Sequence, residues 1–369
     1  MSDQTTPSPD ECSGRLDAIR ENIAKASCDA FVSLTPPTNQ YLTGFRGTTS
    51  GVVVTEKEAI FLCDFRYTEQ AGDQVSKAYD VREISGPFGA QVSKQLNDTD
   101  AKRAAFEPAY TTVAEYNELA KLFDGELVAA GSVVAPLRAC KSQSEIAKIE
   151  AAIQLSERVL HNITSGLKAG QTERSVAAQF EHGFKEQGAS KASFDTISLF
   201  GTRPSLPHGA PGDQTLESGM GVLFDFGCVL NGYCSDLTRC YAFGNIPGSW
   251  YEAIYNLTLE AQLRSIDAIR PGVLGREVDA VARAIIADGG HGDHFGHGLG
   301  HGVGIEIHEG PRLNPESETP LEPGMIVTVE PGIYVPGQGG VRIEDVVVVT
   351  EDGCRVLSSA PKSLEVIGT

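Results

Sequence analysis

The feature that most restricts how this chain can fold is an internal repeat. Leu167-Lys168-Ala169-Gly170, followed by Arg174 and Val176, returns 102 residues later as Ile269-Arg270-Pro271-Gly272, followed by Arg276 and Val278. Gly219-Met220-x-Val222-x-x-Asp225-x-Gly227 returns 105 residues later as Gly324-Met325-x-Val327-x-x-Glu330-x-Gly332. Each copy of the first motif closes a helix-like segment of about six turns. One short match would mean little, but two motif pairs in nearly one register predict a duplicated helix-plus-strand unit. Such a unit buries its matching strands around a pseudo-twofold axis.

The repeat occupies the later part of 369 residues, and roughly 150 residues per domain leaves room for another domain before it. The first third has mixed α/β character. Leu16, Ile19 and Ile23 are helix-spaced, β-rich runs cover 30–34, 51–55 and 59–63, and a helix-like stretch covers 111–123. Pro136 disfavours helix at the residue before it, and Ser142 with Glu145 has the register of a capping box for a new helix. The fold class expected is therefore α+β. An N-terminal α/β domain would cover 1–135, with 1–10 disordered, and the duplicated domain would cover 136–369.

The repeat carries acids where strands should be apolar. Asp225, Glu330 and Glu344 lie within runs rich in β-branched and aromatic residues, and Asp236 lies in Tyr233-Cys234-Ser235-Asp236-Leu237-Thr238. A buried ionised carboxylate costs several kcal/mol or more unless it is paired or metal-bound. Only Arg239 and Arg342 are close enough in sequence to pair with them. A salt bridge or strand-end turn would account for one such acid; four at matched positions favour metal. Four carboxylates also balance two divalent ions, and paired ions activate water and polarise a scissile carbonyl.

Five of eight histidines (His291, His294, His297, His301 and His308) fall in one glycine-rich stretch. No G-x-G-x-x-G or Walker register fits it, and H-E-x-x-H is absent. Glycines alternating around His297 and His301 suit backbone packed close to a site, with the imidazoles turned inward. His208 precedes the first carboxylate strand as His308 precedes the second, which would set the two facing each other. His291 and His294 are expected at the surface, and His161 and His182 at ordinary helix positions. The eight cysteines contain no C-x-x-C pair and are expected to be reduced and mostly buried.

Charge excludes other classes. With 49 acidic against 30 basic residues the chain carries −19, which disfavours nucleic acid and anionic membranes. No apolar run approaches about 18 residues, and the polar N-terminus lacks the pattern of a secretory signal. A cytoplasmic protein is the expectation.

These motifs resemble the metallopeptidase family of aminopeptidase P and prolidase, whose catalytic domain has the pita-bread fold. The resemblance is carried by Leu206-Pro207-His208-Gly209, Asp225-Phe226-Gly227, Ser235-Asp236-Leu237-Thr238-Arg239 and His297-Gly298-Leu299-Gly300-His301. It continues through Ile307-His308-Glu309, Val329-Glu330-Pro331-Gly332 and Val341-Arg342-Ile343-Glu344-Asp345. Asn39-Gln40-Tyr41-Leu42-Thr43-Gly44-Phe45 and Asp64-Phe65-Arg66-Tyr67 extend it to a creatinase-like N-terminal domain. It implies five metal ligands, Asp225, Asp236, His301, Glu330 and Glu344, with Asp236 and Glu344 bridging two ions. It implies manganese, with cobalt or zinc as alternatives, and Glu330 as the proton shuttle. His208 and His308 would orient substrate and stabilise the tetrahedral intermediate. His297 and Arg342 would contact substrate, with Arg342 paired to a ligand or substrate carboxylate.

The implied reaction is cleavage of peptides with proline at the second position, by a homodimer. Aminopeptidase activity is the first expectation and dipeptidase (prolidase) activity the alternative. Methionine aminopeptidase shares the fold but usually lacks such an N-terminal domain. Metal-free creatinase, and an inactive binding protein of the same fold, fit poorly with a complete ligand set.

Overall fold

A computed structural model describes residues 7–368, and the chain divides into two units, Met1–Arg138 and Ala139–Thr369. Helix α1 (Pro9–Lys25) begins inside the tail expected to be disordered. The Ser8 hydroxyl accepts the Glu11 N–H at 3.2 Å, and the Glu11 carboxylate accepts the Ser8 N–H at 3.0 Å. A proline in the first turn lacks only an N–H that would have had no helical acceptor, so it starts a helix instead of breaking one. The disorder expected for 1–10 is thus corrected from Pro9 onward, while residues 1–6 lie outside the described residues.

The first unit is built on a six-stranded mixed sheet in the order β4-β3-β2-β1-β5-β6. Its strands are β1 (Ala30–Ser33), β2 (Gly51–Thr55), β3 (Ala59–Cys63), β4 (Asp80–Glu83), β5 (Arg103–Phe106) and β6 (Glu126–Ala129). Helices α2 (Pro36–Thr43), α3 (Thr68–Gln74), α4 (Phe88–Asp98) and α5 (Val113–Leu122) connect them. Val32, Val53, Ile60, Leu62, Val92 and Leu96 form the centre of its core. Helix α6 (Ala135–Ala139) contains Pro136 in its first turn, where the sequence suggested a helix stop. The same first-turn tolerance explains the difference.

In the second unit the repeat becomes a repeat of hydrogen bonds. Helices α7 (Gln143–Gly166) and α8 (Glu173–Glu186) open one half; α9 (Ser249–Ala268) and α10 (Gly275–Asp288) open the other. Ser142 and Glu145 form the predicted capping box on α7. Gly170 and Gly272 each take φ +85°, and their N–H groups bond to the carbonyls of Leu216 and Leu321. The N–H groups of Leu216 and Leu321 bond back to Gln171 and Val273. Gly219 and Gly324 repeat a second left-handed turn, at φ +86° and +88°. Only glycine adopts this conformation without strain, which is why the motif retains it in both copies.

Strands β7 (Lys191–Ala192), β8 (Ile197–Phe200), β9 (Met220–Phe226), β10 (Cys228–Leu230), β11 (Tyr233–Cys234) and β12 (Leu237–Phe243) belong to the first half. The second half holds β13 (Gly300–Gly302), β14 (Glu309–Leu313), β15 (Ile326–Val329), β16 (Gly332–Val335), β17 (Gly339–Arg342), β18 (Asp345–Val349) and β19 (Cys354–Val356). Near the C-terminus β20 (Val366–Ile367) pairs with β12. Antiparallel neighbours β8-β9-β12 correspond to β13-β15-β18. Phe180, Phe184, Phe224 and Phe226 pack one half, and Tyr251, Ala282, Ile286, Val327 and Val347 the other. Each large apolar side chain buried this way contributes about 1.5–3 kcal/mol.

A buried acid on the second helix of each half braces the strand entering the site. Glu173 accepts the Phe200 N–H at 2.9 Å, and Asp279 accepts the Leu299 N–H at 3.0 Å. The eight cysteines are free and six are buried. Among the described residues no helix is long and apolar enough to cross a membrane.

Candidate metal centre

The four acids sit where the two strand pairs end. Asp225 is the penultimate residue of β9 and pairs with Thr238 of β12, and Asp236 immediately precedes β12. Glu330 immediately follows β15, and Glu344 immediately precedes β18. The repeat therefore delivers two carboxylates from each half. Three of them lie at strand junctions, among them Glu330 and Glu344, which the apolar runs had suggested inside strands. A junction frees the side chain from the alternating faces of the sheet while its neighbours stay in the ladder.

One carboxylate oxygen from each of Asp225, Asp236 and Glu344 falls within 4.8 Å of the others. Their surroundings leave donors lacking. Glu344 Oε2 accepts the Thr238 hydroxyl at 2.7 Å and Asp225 Oδ2 accepts Arg342 Nη2 at 2.6 Å. Glu344 Oε1 and Asp225 Oδ1 are buried with no hydrogen-bond partner. Unsatisfied buried carboxylate oxygens in a converging hard-oxygen set are what a divalent cation requires, so these residues fit a metal. Burial pushes Asp236 well above the usual carboxylate range, and neighbouring Glu344, Asp225 and Glu330 push it further. Burial likewise raises Glu344 well above its ordinary value, reinforced by Glu330 and Asp225.

His301 and Glu330 stand beside this triad. His301 Nδ1 lies 3.1 Å from the Gly302 carbonyl, so Nδ1 carries a proton and Nε2 is the nitrogen that faces the acids. Nε2 lies 3.3 Å from Glu330 Oε1 and 3.6 Å from Asp236 Oδ2. Thr328 Oγ1 accepts the His301 N–H at 3.0 Å and donates to Glu330 Oε1 at 3.1 Å, orienting both residues. Burial acts to raise Glu330, but the hydrogen bond and charge of His301, with His297 and Arg342 beyond, bring it down to about 2. The glycines next to His301 permit this approach. A Cβ at Gly300 would lie 2.0 Å from the Thr328 carbonyl oxygen.

Behind the carboxylates lies a chain of which the sequence suggested only the pairing of Arg342 with a ligand carboxylate. Arg342 donates to Asp225, to Thr238 Oγ1 at 3.1 Å and to Tyr334 Oη at 2.9 Å. Tyr334 Oη is 2.8 Å from His297 Nε2, and His297 Nδ1 is 2.8 Å from the Gly298 carbonyl. Both His297 nitrogens are therefore engaged, and its ring packs edge-on against Phe295. Arg239, the other candidate partner, instead pairs with Asp345 at 2.8 Å. Replacing Arg342 with Met is expected to destabilise the metal-stripped protein by about 3 kcal/mol at pH 8, because Asp225 is left buried without its partner. The deficit should shrink toward acid pH as Asp225 takes up a proton, and urea midpoints at several pH values would measure it. An unchanged midpoint would mean the pair contributes nothing to stability.

His208, His297, His301, His308, Arg342 and all four acids line one cavity of about 670 Å³, together with Phe194, Ile197, Ile307 and Arg312. His208 and His308 are exposed within it. His308 packs edge-on against His301, with ring centroids 4.4 Å apart. Partial burial against the cavity wall, then His301 and Arg312, lower His308 to about 4, so it is neutral at physiological pH. His291 and His294 lie outside the cavity and face each other, with their Nδ1 atoms 3.0 Å apart and both rings half-buried. His161 and His182 are exposed on α7 and α8.

The model of metallopeptidase family M24 matches residues 147–351, and that of the creatinase/prolidase N-terminal domain matches residues 15–140. An uncharacterized peptidase of Bacillus subtilis, YqhT, is 40% identical over 356 residues, covering 96% of this chain and all of that protein. The solved Xaa-Pro dipeptidase from Bacillus anthracis is 38% identical with a TM-score of 0.93, covering 96% of this chain and 99% of its own. The solved X-Pro aminopeptidase from Thermotoga maritima is 34% identical with a TM-score of 0.87, covering 94% and 99%.

Proposed function

The chain belongs to metallopeptidase family M24, and from that premise we propose that it hydrolyses the bond before proline in short Xaa-Pro peptides. The observation carrying this reading is the convergence of Asp225, Asp236 and Glu344 on one point, two of them with unsatisfied buried oxygens, inside a cavity also lined by His301 and Glu330. Asp225, Asp236, His301, Glu330 and Glu344 would hold two divalent ions, for which the oxygen-rich donor set favours manganese over softer metals. Such ions supply an activated water and a polarised scissile carbonyl. Glu330 is held ionised, so it begins as the base that accepts the water proton and then returns it to the departing proline nitrogen. His308, kept neutral, donates an N–H to the carbonyl oxygen as negative charge develops there, with His208 placed to do the same. His297 presents a ring edge and face to the substrate, since both its nitrogens are occupied.

Of the two arginines lining the cavity, Arg342 is tied to Asp225, Thr238 and Tyr334, while Arg312 is exposed. Arg312 is therefore the group we assign to a substrate carboxylate, in place of Arg342. A dipeptide presents that carboxylate on proline itself, which favours dipeptidase over aminopeptidase activity. The likeness to a solved aminopeptidase supports the second reading, in which longer peptides are also admitted. Arg312→Ala should raise KM for an Xaa-Pro dipeptide about tenfold or more while leaving an Xaa-Pro-Xaa tripeptide within about twofold. Equal effects on both lengths would remove the carboxylate assignment. A cytoplasmic homodimer completes the proposal, and sedimentation equilibrium of the purified protein tests the dimer.

A further inference from the structure

We infer that Lys141, at the start of the second unit, is a positioning residue for His308 and acts through Glu309. This rests on the reading of His308 as a hydrogen-bond donor to the reacting carbonyl. The Lys141 ammonium lies 3.4 Å from Glu309 Oε2, with side-chain exposures of 1% and 6%. Lys141 is itself fixed, because its N–H donates to the Gly324 carbonyl at 2.8 Å just before α7 begins. Glu309 opens β14, and His308 lies just before the strand. Glu309 is buried against Lys141, while His308 is exposed in the cavity.

The same carboxylate grips the connection between β13 and β14 from within. Glu309 Oε1 accepts the Glu306 N–H at 3.0 Å, the Gly304 N–H donates to the Glu306 carbonyl at 3.0 Å, and the Cys234 N–H donates to the Gly304 carbonyl at 2.8 Å. Gly304 passes so close that a Cβ there would lie 2.5 Å from Glu309 Oε2. One buried cation thus fixes the carboxylate that fixes residues 304–309, and with them the ring of His308 against His301. A buried ion pair gives little net stability over an apolar pair of the same volume, so its use here points to geometry.

The test is a double-mutant cycle on kcat with an Xaa-Pro dipeptide and the metal-loaded protein. Lys141→Met should lower kcat about tenfold to a hundredfold, with KM within about threefold and bound metal unchanged. In a His308→Ala background the same change should cost less than about twofold, because the residue it positions is already gone. Lys141→Arg, which keeps the charge, should recover part of the loss. If Lys141→Met does not fold, the charge-free pair Lys141→Met with Glu309→Gln takes its place, and the same coupling to His308→Ala is expected. Wild-type kcat in the lysine variant, or an equal loss in both backgrounds, overturns the inference. A His308→Ala enzyme with unchanged kcat removes the role assigned to His308, and the inference with it.

Discussion

Asp236→Asn is expected to reduce kcat/KM for Xaa-Pro substrates by on the order of 10³ or more, and to lower bound metal below one ion per chain. Asp236 lies in the carboxylate triad and faces His301 at 3.6 Å, so it touches both groups of proposed ligands. The same substitution carries a second signature of opposite sign. The Asp236 carboxyl sits well above its ordinary range because it is buried and faces three other carboxylates. Ionising it therefore destabilises the metal-free fold. Asparagine cannot ionise, so the metal-free variant should melt above metal-free wild type at pH 8, although it is inactive. Atomic absorption and calorimetry on stripped and reloaded protein measure both. Full activity with full metal content would refute the bridging role; a metal-free variant less stable than wild type would mean Asp236 has structural partners beyond the site.

Removing metal from wild type should have the second large effect. An ion present at about 1,000 times its dissociation constant stabilises the fold by about 4 kcal/mol, equivalent to a Tm shift on the order of 10 °C for a unit of this size. The shift should depend on pH in a defined direction. Asp236 and Glu344 have folded-state pKa values above their unfolded ones. Their contribution to metal-free stability is full below the unfolded value near 4 and is lost as pH rises through the folded values. Glu330, lowered to about 2, works in the opposite sense: its contribution is present above the unfolded value near 4.5 and is lost as pH falls toward 2. Metal-free protein should thus be most stable in mild acid, and the gap to loaded protein should widen from pH 5 to pH 8. Metal binding should also release protons wherever Asp236 and Glu344 still hold them. Melting curves across that range measure the gap; a constant gap would mean that neither acid changes protonation on loading.

Much of this site was legible in sequence because duplication writes the same constraint twice. Asp225 and Glu330 occupy equivalent ends of β9 and β15, and a carboxylate is unusual enough in an apolar run to be noticed. The glycines beside His301 were legible for the same reason, since a repeated small residue marks close backbone approach. The neutral partners were not. Thr238, Thr328 and Tyr334 are ordinary strand residues, and Thr238 bonds to Glu344 across 106 positions. Lys141 and Glu309 are 168 positions apart, and although Glu309 falls in the Ile307-His308-Glu309 motif, nothing in the sequence joins it to Lys141. Arg239 was close in sequence to Asp236 yet pairs with Asp345, because adjacent positions of β12 point to opposite faces. Pattern reading also placed acids within strands where the ladder had already ended. Side-chain chemistry identifies a residue's need, whereas the end of a strand is set by the partner strand it meets.

The most direct measurement is metal titration of stripped protein, following release of free proline from an Xaa-Pro dipeptide. Activity should be absent after EDTA treatment, return with added Mn²⁺, and reach its maximum at two bound ions per chain. Proline release that persists without metal, or no release from any Xaa-Pro peptide at full metal occupancy, would contradict a dinuclear Xaa-Pro peptidase.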